Sequence, residues 1–455
     1  MKTGYIHRKS MNPCGLRFDS SYHLSDGVAV KRVIASSPYP LMPIEKAADR
    51  IFIGGRARRV YVKDREHGIP FLSSSDILQA DLEAVKLASK KYTPNVEDMK
   101  LQKGWTLITR SGTIGNCAFA NAKHAQKLAS EDVIRLVPNN ILREGYIYAY
   151  LASKQGYSLL TQGTFGAVIQ HIEPAYVASL PIPVAPESFQ QEVDDLIQES
   201  ARLREEAADA LTEAHRILKS ELHSSHTHNK IVSIKNIYKS HNQRFEANYY
   251  ASENRELYDL MTQQFKCTRL KDLCERIFRP GIFKRQYVNT DGITFLGGAD
   301  ILNATPSSYK QLSKLQVKKM PELMPKQGTI LVTCGGTIGN TVYVDTQLAS
   351  CAVSQHVMRL IPNGTVPNGY LYAFLSSDMG KKIINLFAFG SVIPQVEAHH
   401  LELLPVPILE NNKMEHIDAL CMRYVHCNEK AKENERQAIS MVEQQIDSWS
   451  VRKEK

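Results

Sequence analysis

Gly68-Ile-Pro-Phe-Leu-Ser-Ser-Ser-Asp76-Ile-Leu78 returns 224 residues later as Gly292-Ile-Thr-Phe-Leu-Gly-Gly-Ala-Asp300-Ile-Leu302. The same offset carries Gly112-Thr-Ile-Gly-Asn116 onto Gly336-Thr-Ile-Gly-Asn340, and Gly145-Tyr-Ile-Tyr-Ala-Tyr-Leu151 onto Gly369-Tyr-Leu-Tyr-Ala-Phe-Leu375. It also carries Leu180-Pro-Ile-Pro183 onto Leu404-Pro-Val-Pro407. Upstream the match continues with slips of two or three residues: Arg59-Val-Tyr61 pairs with Arg285-Gln-Tyr287, and Arg17-Phe18 with Arg244-Phe245. A period this long is not a solenoid repeat. The chain is a duplicated domain.

Each copy ends in a long segment free of Gly and Pro. From Phe189 to Leu222, the residues Phe189, Val193, Leu196, Leu203, Ala207, Ala210, Ala214 and Ile217 fall near heptad spacing, and Ile197, Leu211 and Leu218 widen the stripe. Met414, Ile417, Leu420, Tyr424, Ala431, Ala438, Val442, Ile446 and Trp449 make a second stripe, interrupted by Asn428 and Glu435. Neither helix can bury such a stripe alone, so the two are expected to pack against each other. Inside the copies, short β-prone runs such as Thr106-Leu-Ile-Thr and Ile330-Leu-Val-Thr flank the Gly-Thr-Ile-Gly-Asn turns, which reads as hairpins. Gly145 to Leu160 and Gly369 to Phe387 read as one helix each. The fold class is therefore α+β: two tandem β-rich domains, each followed by a long helix.

The 455 residues allow more than one core, and 43% hydrophobic with 23% charged residues is ordinary globular composition. No apolar run approaches the ~18 residues of a membrane span, and the first residues lack the apolar core of a signal peptide. Eight cysteines without a CxxC pair fit reduced thiols. A net charge of +9 permits an acidic partner such as nucleic acid. These features together predict a cytoplasmic chain with no membrane contact.

Enzyme signatures fail. An amino-methyltransferase loop of the type [DNS]-P-P-[YFW] is approached only by Asn12-Pro-Cys-Gly15 and Ser37-Pro-Tyr39, and its cofactor loop only by Phe52-Ile-Gly-Gly55. No Walker-type phosphate loop is present; Gly335-Gly-Thr-Ile-Gly339 lacks the lysine. His223-Ser-Ser-His226-Thr-His228 has no nearby cysteine and reads as linker rather than a metal site. His171 and His356 read as buried polar residues or DNA contacts. The chain is expected to be non-catalytic and to bind no cofactor or metal of its own.

Taken in order, these segments resemble the specificity subunit of a type I restriction–modification system. Arg17-Phe-Asp and Arg244-Phe-Glu match the starts of its two target-recognition domains, and the two Gly-Ile-x-Phe segments and the two Gly-Thr-Ile-Gly hairpins match their interiors. Leu180-Pro-Ile-Pro-Val-Ala-Pro-Glu-Ser-Phe-Gln190 resembles the family's Pro-rich exit into a Gln-led helix; Ile408-Leu-Glu-Asn-Asn departs from it. The resemblance implies an extension at 1–16, recognition domains at 17–185 and 244–408, spacer helices at 186–222 and 409–455 forming an antiparallel coiled coil, and a linker at 223–243. It also implies double-stranded DNA as ligand, read as a bipartite target. Two methyltransferase subunits would methylate adenine N6 with S-adenosylmethionine, and motor–nuclease subunits would use ATP and Mg. Two other readings stand beside it: a coiled-coil scaffold without sequence-specific binding, and a restriction–modification enzyme with its own catalytic site.

Under this resemblance, phosphate contacts are expected from Arg56, Arg58, Arg59 and Lys63, and from Arg279, Lys284 and Arg285 in the second copy. Base reading is expected where the copies differ: Arg110 and Ser111 opposite Cys334 and Gly335, and Gln170 and His171 with Ser391 and Gln395, since Gln pairs bidentately with adenine. The segments 81–103 and 305–327, which share little, are further candidates.

Overall fold

The computed structural model describes residues 5, 19–56, 59–165, 170–222, 237–238, 249–250, 252–390 and 394–451. Arg17, Phe18, Arg58, Arg244, Phe245, Ser391 and the His223–His228 cluster lie outside them. The chain forms two compact units: Met1–Glu205 with Lys430–Lys455, and Glu206–Glu429.

In the first unit, an antiparallel sheet runs in the order Ala48–Ile53, Val133–Pro138, Thr106–Thr109, Cys117–Phe119. The strand Val133–Pro138 is central and buried, which its run Val-Ile-Arg-Leu-Val reflects. A second sheet runs Tyr61–Val62, Lys86–Ser89, Gly68–Leu72, Leu128–Ala129, the last pair parallel. Leu41–Pro43 pairs with Pro181–Pro183, so the Pro-rich exit is an edge ribbon. The expected hairpin is present: Gly112 and Gly115 take φ of 75° and 84°, the left-handed region that glycine enters without a Cβ penalty.

The second unit repeats this plan. Its sheets run Cys274–Phe278, Val357–Pro362, Ile330–Thr333, Thr341–Tyr343, and Tyr287–Val288, Gln311–Leu312, Ile293–Leu296, Ala352–Val353. Cys267–Arg269 pairs with Pro405–Pro407. Even the bulge recurs: the edge strand slips between Ala48 and Arg50 in one unit and between Cys274 and Arg276 in the other.

One expectation is corrected. The segments read as single helices are two each, Glu144–Ala152 with Lys154–Gln162 and Asn368–Ser376 with Asp378–Leu386. Ser153 and Ser377 break them with φ −64°, ψ 160°, and their hydroxyls cap the second helices by accepting from Gly156 N and Gly380 N. A Cβ on Gly156 would stand 2.1 Å from the Tyr150 carbonyl oxygen, and one on Gly380 2.1 Å from that of Phe374. The apolar periodicity runs through the serine, which hides the turn.

The long helices are Glu187–Glu221 and Asn411–Val451. In the first unit Val193, Ile197 and Ala201 share a core with Ala438, Val442, Ile446 and Trp449. In the second, Leu211, Ala214 and Leu218 share one with Met414, Ile417 and Cys421. There, Glu206 takes Arg423 at 2.7 Å while Glu221 takes Lys413 at 2.8 Å, so the helices run antiparallel. Leu196 and Ile217 are half-buried and pack against these cores. Glu435, expected as an interruption, is buried: its carboxylate accepts from Arg204 Nη2 at 2.6 Å and from the Tyr148 hydroxyl. Among the described residues no helix is long and apolar enough to cross a membrane.

Candidate nucleic-acid interface

The hairpin strand of the first unit ends at Arg110 and Ser111, and the chain returns beside it at Gln170 and His171. Ser111 and His171 form an isolated antiparallel bridge, and Phe165 bridges His171 from the other side through paired backbone bonds of 3.0 Å. The Ile172 N–H donates to the Arg110 carbonyl at 3.2 Å. Thus the sequence-predicted Ser111, Gln170 and His171 meet at one place. The Ser111 hydroxyl donates to Asp132 at 2.7 Å, and the Phe165 ring packs edge-on to His171 with centroids 4.2 Å apart. Phe165 stays 41% exposed and Gln170 is exposed. Arg110 is different: its side chain is only 13% exposed, and Nη2 lies 2.5 Å from Glu173 Oε1.

The second unit has the same backbone with other side chains. Gly335 bridges Gln395, Phe389 bridges Gln395, and the Val396 N–H donates to the Cys334 carbonyl at 3.1 Å. Phe389 is 39% exposed, like its counterpart. Cys334 is corrected as a base-reading candidate: it is 1% exposed, and burial pushes its thiol above the usual range, so only its backbone supports the site. His356, expected to be buried, is exposed, and His171 is half-buried. Among the described residues the buried histidines are His124 and His400; burial lowers the His124 ring to about 4 and keeps it neutral.

Apart from Lys63, which follows Tyr61–Val62, the basic residues lie on the segments that join the first sheet of each unit to the second. Arg56 is exposed, its Nε 4.0 Å from Glu131; Arg59 pairs with Glu131 at 2.5 Å and lies over the Phe71 ring at 5.2 Å. Lys63 is exposed. Arg285 repeats the stacking over Phe295 at 5.3 Å, and Lys284 is exposed beside it. Arg279 is drawn away to Glu397, at 2.7 Å. Tyr61 and Lys86 are exposed as well, with Lys86 Nζ 5.1 Å from the Tyr61 ring. Replacing Lys284 and Arg285 together by Ala is expected to weaken binding to all duplexes alike. Each lost phosphate contact should flatten the log–log salt dependence by roughly 0.9. Filter binding of random DNA across a salt series measures this; an unchanged slope would show that the pair faces only water.

Sequence reading missed Phe165 and Phe389, Glu173 and Glu397, and Asp132, although all of them obey the 224-residue offset, Asp132 with His356 as its counterpart. It also missed Arg135 and Arg359, fully buried in the central strands and aimed at backbone carbonyls. An arginine inside an otherwise apolar strand, present in both copies, was the available signal. Among the described residues, Asp64, Glu66 and His67 lie close enough together to offer ligands to a metal ion; all three are exposed, and His67 Nδ1 already pairs with Asp64 at 2.7 Å.

A family model described as type I restriction modification DNA specificity domain matches residues 54–200 and again 262–420. No curated protein matches the chain. Similar solved structures include a type I restriction–modification S subunit from M. genitalium, 12% identical with a TM-score of 0.34 over 90% of this chain and 96% of that one. Another is the HsdS subunit from Thermoanaerobacter tengcongensis, 12% identical with a TM-score of 0.28 over 90% and 97%. The two family matches, one to each copy, together span well over half of the sequence. The chain therefore belongs to the type I restriction–modification DNA specificity family, as a non-catalytic subunit that supplies DNA specificity.

Proposed function

We propose that each copy reads one half of a bipartite duplex target, and that catalysis is done by others. Two methyltransferase subunits clasp the chain and methylate adenine N6 with S-adenosylmethionine. Motor–nuclease subunits using ATP and Mg join them, and the assembly works in the cytoplasm. The observation that carries this reading is the repeated loop base. Ser111, Phe165 and His171 stand on the same bridged backbone as Gly335, Phe389 and Gln395, with two of the three side chains changed. A common frame with different polar groups is what two different half-sites require. The exposed basic residues Arg56, Arg59, Lys63, Lys284 and Arg285 supply phosphate contacts in this scheme, and Arg58 and Ser391, outside the described residues, keep their assigned roles.

The test is an exchange of residues 68–184 for the matching segment of a related subunit, followed by mapping of methylated sites in cells that carry the partner methyltransferase. One half of the recognised sequence should change while the other stays. A soluble, active hybrid whose two halves shift together would contradict one reader per copy.

A further inference from the structure

In both units a glutamate just before a short helix holds a guanidinium, and the guanidinium arrives from two different places. Glu173 precedes Pro174–Ala178 and takes Arg110, the residue after strand Thr106–Thr109. Its counterpart Glu397 precedes Ala398–Glu402, but the residue equivalent to Arg110 is Cys334, too short to reach it. Arg279 takes over, with Nη2 2.7 Å from Glu397 Oε1. The bulged edge strands align with an offset of 226, as Ala48 with Cys274 and Phe52 with Phe278. Arg279 therefore corresponds to Ile53. Arginine at 110 with isoleucine at 53 has become cysteine at 334 with arginine at 279, and the same carboxylate is still bound.

A group that reads a base is free to differ between two copies with different targets. A group that holds the frame must be kept, though not from the same residue. The pairs lie beneath the bridged backbone: the Arg110 carbonyl accepts from Ile172, next to Glu173, and the Cys334 carbonyl from Val396, next to Glu397. Both guanidiniums are partly withdrawn from solvent, at 13% and 30% side-chain exposure, where an Arg–carboxylate pair holds geometry better than on an open surface. We infer that Arg110–Glu173 and Arg279–Glu397 are one interchangeable clamp that positions the reading loops, and that neither arginine reads a base. The inference rests on the reading of one half-site per copy.

The test uses the full chain with its methyltransferase partner and selection from randomised duplexes. Arg110→Cys should lower discrimination at one half-site on the order of 10-fold, the weight of about one base contact. The other half-site and the affinity for random duplex should be unchanged. Adding Ile53→Arg to Arg110→Cys should restore discrimination for the original bases. Where Arg110→Cys fails to fold, Arg279→Ile and its rescue by Cys334→Arg make the same test in the second copy. Three outcomes overturn the clamp: discrimination untouched by Arg110→Cys, a uniform loss over all sequences with a flatter salt slope, or a new preferred base that persists in the double variant. An unaltered chain that selects no bipartite sequence overturns the half-site reading instead, and the clamp's role with it.

Discussion

Arg135→Met should lower the stability of the first unit by about 4 kcal/mol, since buried carbonyls that lose their donor cost about 1–3 kcal/mol each and water re-enters at some of them. The Arg135 guanidinium donates to the carbonyls of Ala129 at 2.5 Å, Val133 at 2.6 Å, Ser130 at 3.0 Å and Met99 at 3.3 Å. Burial lowers it to about 10, which leaves it protonated at neutral pH. Methionine fills much of the volume and supplies no donor. Arg359 makes the equivalent bonds to Val353 at 2.5 Å, Ser354 at 2.9 Å and Val357 in the second unit. The two tryptophans, Trp105 and Trp449, both belong to the first unit, so their emission follows that unit in a urea titration. Arg135→Met should move the emission midpoint to lower urea. Arg359→Met should leave it in place and shift part of the circular dichroism transition. An Arg135→Met unfolding free energy within about 1 kcal/mol of the parent would show that the carbonyls need no cation.

Glu435→Gln should destabilise the same unit by about 3–5 kcal/mol, the usual penalty for leaving a buried charge without its partner. Glu435 and the Arg204 side chain are 5% and 17% exposed, and the carboxylate is shared with the Tyr148 hydroxyl. Burial, with the Glu435 charge beside it, pushes that hydroxyl well above the tyrosine range, so it stays a donor. Replacing the whole triad, Arg204→Met with Glu435→Leu and Tyr148→Phe, should recover most of the loss, because apolar groups of similar volume often match a buried ion pair. Thermal unfolding followed by tryptophan emission compares the two. A triple variant no better than Glu435→Gln would mean that the polar network, rather than its filled volume, holds the helices.

The duplication was legible because its strongest segments combine turn glycines, edge prolines and apolar runs, whose spacing the backbone enforces. The long helices were legible for the same reason, expected at Phe189–Leu222 and found at Glu187–Glu221. What failed to show were effects of tertiary neighbours. Ser153 looks like any helical serine until the second helix folds back on Gly156. Nothing local to Arg110 announces that Glu173, 63 residues away, pairs with it. Glu435 looks like a break in a stripe until Arg204 and Tyr148 close on it. In each case one residue keeps its propensity while a distant partner decides its role.

The first unit needs the chain's last helix: Ala438, Val442, Ile446 and Trp449 complete a core begun by Val193 and Ile197. The 224 residues from Glu206 to Glu429 stand between the two parts in sequence. At about 5–20 residues per second, roughly 10–45 s of synthesis separates Glu205 from Lys430. During that interval the earlier copy leaves the ribosome with its apolar stripe uncovered, while the later copy is contiguous and can close as it emerges. Translation that stops just after Glu429 therefore damages the domain made first and spares the one made last.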